Sequence, residues 1–189
     1  MKPSRLILIA AALVVVAAAA LGFLYWKSAK PVQPVASNAP PAPFALAKAP
    51  QAVPQVAFND GSGGHVEIAS FKGKYVLLNL WATWCAPCVR ELPALAKLKA
   101  SVHGRFDVVA VDVGRGTAAD ARTFLDGHGA KALGTYVDSN LALLRAFGAY
   151  GLPLTILIDP KGREIGRAVG PAAWDTPDSV SYFTDLSKS

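Results

Sequence analysis

Hydrophobic positions divide the chain into three stretches of different character. Leu6 to Trp26 is apolar nearly throughout and carries no charge, whereas residues 28–52 are rich in proline and alanine and show no apolar period. From Val53 onward, short apolar runs alternate with stripes at helical spacing. This last pattern predicts strands over 53–58 and 66–68, then a strand over 75–81. The 75–81 run does not alternate, which fits a strand buried on both faces. A helix is predicted over 87–101, with Val89, Leu92, Leu95, Leu98 and Val102 as its buried stripe and a kink at Pro93. Strand 106–113, helix 118–127, strand 135–137, helix 141–147 and strand 154–158 follow. Asp159-Pro160-Lys161-Gly162 reads as a hairpin turn into a strand over 164–169, and a last helix is predicted over 174–186. Such an order is a βαβ half followed by a hairpin and a closing helix. The fold class is α/β, three layers around a mixed central sheet flanked by helices.

The first stretch is long enough to change the picture. About 20 apolar residues cross a hydrocarbon core of roughly 30 Å. Leu6–Trp26 therefore reads as one N-terminal transmembrane helix, with Tyr25 and Trp26 at the interface. A cleavable signal peptide is the competing reading, because Ala17–Ala20 offers small residues, but the apolar run continues past that tract. The proline-rich segment reads as a semi-rigid, partly polyproline spacer. The expected plan is an anchor over 1–27, a linker over 28–52 and one domain over 53–189.

Charge is informative only once it is placed. The formal net charge of the 189 residues is +6, and residues 1–52 supply five of those charges through Lys2, Arg5, Lys27, Lys30 and Lys48 with no acid. The domain itself is nearly neutral and has no Lys/Arg stripe interleaved with aromatics, so nucleic-acid binding is not supported.

The candidate chemistry lies in Cys85-Ala86-Pro87-Cys88, which holds both cysteines of the chain. The pair follows the buried strand and opens the first predicted helix. Unpaired N–H groups and the positive end of the macrodipole favour thiolate at such a position. Three bland readings compete. A zinc site needs about four ligands, and His65, His103 and His128 are scattered. A structural disulfide across so short a loop would restrain the unfolded chain little. Inert buried thiols fit poorly with Trp84 and Pro87 beside the pair. Redox exchange is the reading that remains favoured, with no cofactor or metal expected.

The segment Trp84-Cys85-Ala86-Pro87-Cys88 behind a buried strand resembles the thioredoxins, and within them the membrane-anchored TlpA/ResA group, TlpA most closely. The matching stretches are Asn79 to Cys88, Glu91-Leu92-Pro93, Gly151 to Asp159, Gly162-Arg163-Glu164 and Gly170 to Trp174, spread over about residues 53–180. The resemblance implies a thioredoxin-like fold with a redox-active Cys85–Cys88 disulfide. It implies a cis Pro153 packed beside the disulfide, and a Leu152 backbone that pairs with an extended substrate segment near Trp84 and Pro87. Thioredoxins proper carry an aspartate where this chain has Asn79. The TlpA/ResA pattern places a glutamate at the position of Glu91, which could accept the proton of Cys88 if partial burial raises its pKa. The plain alternative for Glu91 is an exposed helix charge near Arg90 or Lys99.

The resemblance further implies a thiol:disulfide oxidoreductase in which Cys85 attacks and Cys88 resolves. The direction implied is reduction of protein disulfides. Recipients would be apocytochrome c or copper-site assembly proteins of cytochrome oxidase, with electrons from a DsbD- or CcdA-type membrane donor. The expected setting is a single-pass inner-membrane monomer with its domain in the periplasm, where a cycling disulfide is at home. A DsbA-like oxidant is disfavoured because the gap from Cys88 to Pro153 leaves no room for an inserted helical domain. A Sco-like copper chaperone would need one more residue between its cysteines and a matching histidine.

Overall fold

The run Tyr75–Trp81 is the centre of the molecule: it forms strand β4, buried from Val76 onward. The computed structural model describes residues 39–188, together with Leu21 and Phe23. Apart from Leu21 and Phe23, the expected membrane anchor lies outside the described residues, as does the first part of the expected linker. Among the described residues no helix is long and apolar enough to cross a membrane.

Seven further strands complete one sheet: β1 (Ala45–Ala52), β2 (Ala57–Asp60), β3 (His65–Glu67), β5 (Phe106–Asp112), β6 (Tyr136–Val137), β7 (Leu154–Ile158) and β8 (Arg163–Val169). Their order across the sheet is β1-β8-β7-β4-β5-β6-β2-β3. The pairs β4–β5 and β5–β6 are parallel and the others antiparallel, so the sheet is mixed as predicted. Among residues 39–188, four α-helices pack on it: α1 (Ala86–Ser101), α2 (Ala118–Gly127), α3 (Ala142–Ala146) and α4 (Pro177–Lys188).

The two faces of β4 explain why it is apolar at every position but Asn79 from Val76 onward. Leu77 and Trp81 point into a core with Leu92, Leu95 and Leu98 of α1, Leu125 of α2 and Phe183 of α4. Val76, Leu78 and Leu80 enter the opposite core, closed by Ile68, Leu143 and Phe147. A strand covered on both sides has no polar face to show. Helix α1 continues through Pro93. The β7–β8 hairpin closes on Asp159 to Gly162, where Gly162 N donates to Asp159 O at 2.8 Å and Gly162 takes the positive φ of 79° that the turn demands.

Three expectations shift. The linker does not extend to residue 52, because Ala45–Ala52 pairs antiparallel with β8 as the edge strand β1. Proline is tolerated on an edge and at bulges, and Pro50 falls where the register of β1 shifts between Leu46 and Gln51. The predicted strand over 53–58 contains Pro54 and is displaced to β2. The last helix begins at Pro177 rather than Trp174. Thr176 caps it, accepting from Ser179 N through Oγ1 at 3.2 Å, and Pro suits the first helical position.

Candidate active site

Strand β4 ends at Trp81, and the chain turns through Ala82, with Cys85 N donating to Ala82 O at 3.0 Å. Cys85 is thereby set as the N-cap of α1, its Sγ accepting from Cys88 N at 3.3 Å. Pro87 lies in the first turn, where its missing N–H is of no consequence. The two cysteines form a disulfide, with Cα atoms 5.3 Å apart. Cys85 reaches the surface at 5% exposure while Cys88 is fully enclosed. Trp84, beside the pair, is itself 71% exposed. Cys88 is sealed by the core that α1 makes with β4.

The second loop of the site is fixed by register. Leu80 pairs with Leu154, so the residues preceding β7 emerge beside the loop that follows β4. The Leu152–Pro153 bond is cis, and Pro153 O accepts from Gly170 N at 2.9 Å. Leu152 is half-buried and packs against both cores. Next to it Tyr150 is 87% exposed, and Val169, paired with Leu154 at the end of β8, is also open to solvent. Trp84, Tyr150 and Val169 thus present apolar surface at the end of the sheet that carries the disulfide. The sequence reading passed over Tyr150 and Val169, because nothing in the spacing marks a loop aromatic as exposed.

Glu91 lies beneath this loop, not on the surface as the plain alternative had it. It is only 4% exposed. Its Oε1 accepts from Asn79 Nδ2 at 2.8 Å, and its Oε2 accepts from Trp174 Nε1 at 2.9 Å and from Ala172 N at 3.2 Å. Lys99 is engaged elsewhere, with Asp107. Burial pushes the Glu91 carboxyl above its ordinary value, opposed by the bonds from Trp174, Asn79 and Ala172. Asn79 also donates to Thr155 Oγ1 at 2.9 Å, which leaves its own Oδ1 buried without a partner. Trp174 packs against Phe183 and also holds the carboxylate. A cavity of about 310 Å³, lined by Glu91, Arg90, Ala42 and Pro171–Ala173, joins this region to the surface. Among the described residues no group of three or more His, Cys, Asp or Glu side chains is placed to hold a metal ion.

One slightly exposed and one enclosed cysteine, a cis-proline loop alongside and a buried acid three residues beyond the second cysteine suit two-electron exchange with another protein's cysteines. Fold and site together place the chain among the proteins of thioredoxin-like fold that carry a paired-cysteine site at the head of a helix. It belongs to the Redoxin family, whose profile matches residues 25–186. The thiol-disulfide oxidoreductase ResA of Bacillus subtilis (strain 168) is 33% identical over 118 residues, covering 62% of this chain and 65% of the ResA chain. The chain therefore spans just under two thirds of that relative. ResA of Halalkalibacterium halodurans is 31% identical over 144 residues, covering 76% and 79%. A thiol:disulfide interchange protein of the thioredoxin family from Chlorobium tepidum TLS superposes with a TM-score of 0.57 at 25% identity, covering 75% of this chain and 97% of that one.

Proposed function

We propose that this chain is a membrane-held, extracytoplasmic reductase of protein disulfides, serving copper-site proteins of cytochrome oxidase or cytochrome c maturation. The observation that carries the redox reading is the closed Cys85–Cys88 disulfide at the head of α1, with Cys85 5% exposed and Cys88 fully enclosed. In the reduced chain the Cys85 thiolate attacks a partner disulfide, forming a mixed disulfide and releasing one partner thiolate. Cys88 gives its proton to Glu91 and attacks Cys85 Sγ, so the second partner sulfur leaves and the internal disulfide reforms. Two electrons pass to the partner, and a membrane-embedded dithiol donor of DsbD or CcdA type restores the reduced state. The partner's backbone would run along Leu152 beside Pro153, with Trp84 and Pro87 bordering the approaching cysteine.

The apolar stretch Leu6–Trp26 supports a single-pass inner-membrane anchor that leaves the domain in the periplasm, acting as a monomer. The name of the ResA relatives supports exchange as the activity. The test is capture: Cys88→Ser expressed as the full chain should retain its partner through Cys85. The partner is then identified after non-reducing separation, and the wild-type chain should reduce that partner's disulfide in vitro. A copper-site or apocytochrome partner supports the reading. No captured protein together with no disulfide reduction overturns it.

A further inference from the structure

Phe44 is the last residue before β1, in the stretch that composition alone marks as spacer. Its ring is buried edge-on against the indole of Trp174, with centroids 6.4 Å apart and planes at 82°. Phe183 of α4 packs on the same indole at 6.1 Å. The indole is therefore clasped by two rings, one from the start of the domain and one from its last helix. Its N–H then reaches Glu91 Oε2. Gly166 of β8 shows how closely Phe44 is seated, because a Cβ there would come within 2.6 Å of Phe44 Cε1 and 2.9 Å of the Ala45 carbonyl oxygen. Phe44 N donates to Pro41 O at 2.8 Å, which closes the segment into a turn. That turn brings Ala42 to the wall of the cavity over Glu91.

We propose that Phe44 is a positioning residue for Glu91: by clasping Trp174 and closing the 41–44 turn, it aims the indole N–H at the carboxylate and limits water around it. The proposal rests on the reading of Glu91 as proton acceptor for Cys88. The groups around the carboxylate are the Asn79 amide from β4, the Trp174 indole and Ala172 N–H from the connection after β8, and, on α1, Arg90 at the cavity rim. The partners from other elements carry no charge, so hydration and the indole bond are what Phe44 can alter. Burial is the largest influence on the carboxyl and raises it. Loosening the turn admits water, which lowers the carboxyl, and slackens the indole bond, which raises it, so the carboxyl leaves its wild-type value.

The test uses the reduced full chain in detergent and one equivalent of 5,5′-dithiobis(2-nitrobenzoate). Attack by Cys85 releases the first thionitrobenzoate, and intramolecular attack by Cys88 releases the second, so the two phases separate the steps. Phe44→Ala should slow the plateau of the second phase about tenfold, a fraction of the roughly 10²–10⁴-fold that a positioned general base supplies. It should also displace the phase's midpoint from that of wild type, with the first phase unchanged. Phe44→Leu, which keeps the site filled, is read where Phe44→Ala fails to fold. Gly166→Ala should displace the midpoint the same way without altering Phe44, because its Cβ unseats the ring. If Glu91→Gln leaves the profile of the second phase unchanged, the reading of Glu91 fails. If Glu91→Gln alters that profile while the Phe44 and Gly166 variants keep the wild-type midpoint and rate, the positioning proposal is overturned.

Discussion

Glu91→Gln is isosteric, yet the structure predicts that it is not benign. Every partner of the carboxylate is a donor: the Asn79 amide on one side, the Trp174 indole and the Ala172 N–H on the other. A carboxylate accepts from all three, whereas an amide must turn its NH₂ toward at least one of them in either orientation. An unpaired buried donor costs about 1–3 kcal/mol. For a domain of roughly this size each kcal/mol moves Tm by about 2–4 °C, so a fall of about 5 °C is expected. The effect also depends on pH. Burial holds the Glu91 carboxyl above its ordinary value, so between the two values the folded chain binds more protons than the unfolded chain. Wild-type stability therefore falls as pH rises through that window and is level above it. Glu91→Gln lacks this slope. The gap between variant and wild type is widest in acid and narrows by about 1.4 kcal/mol for each pH unit separating the two values. Thermal melts of both oxidised proteins across pH 3–9 provide the assay. A variant that melts with wild type in acid, or a gap that widens with pH, refutes the assignment of three donors around a buried, elevated carboxyl.

Three further outcomes follow from named contacts. Cys88→Ser should accumulate mixed disulfides on non-reducing gels and Cys85→Ser should not, because Cys88 is wholly enclosed; equal trapping by both would contradict the assignment of the attacking sulfur. Tyr150→Ala removes a side chain that is 87% exposed, so stability should stay within about 0.5 kcal/mol while KM for a protein disulfide rises several-fold at constant kcat; a change confined to kcat would remove Tyr150 from the docking surface. Phe183→Ala should cost about 3–5 kcal/mol, read as a lower urea midpoint, because the ring is fully buried between Phe106 and Trp174; a loss under about 1 kcal/mol would contradict that packing.

Elements whose signal is local were legible in the chain. Tyr75–Trp81 betrayed a doubly covered strand by apolar residues at consecutive positions, interrupted only by Asn79, and Asp159 to Gly162 marked its own turn. Strand β1 was not legible, because an edge strand needs only one set of ladder bonds and can hold Pro50 where the register shifts. Composition then argues for a spacer while pairing with β8 makes a strand. Glu91 is a different case, since its burial was written in the helical period. It lies three residues after Cys88 and four before Leu95, and residues at those spacings share a face. The face that encloses Cys88 and Leu95 therefore encloses Glu91 as well. What the period could not supply was the identity of the donors. Asn79 is 12 positions away, Ala172 is 81 and Trp174 is 83. A buried carboxylate in a local pattern announces only that donors must exist, because leaving it without them is costly. Their identity depends on β4 lying under α1 and on the chain after β8 returning across the same helix, and both are consequences of the whole sheet order.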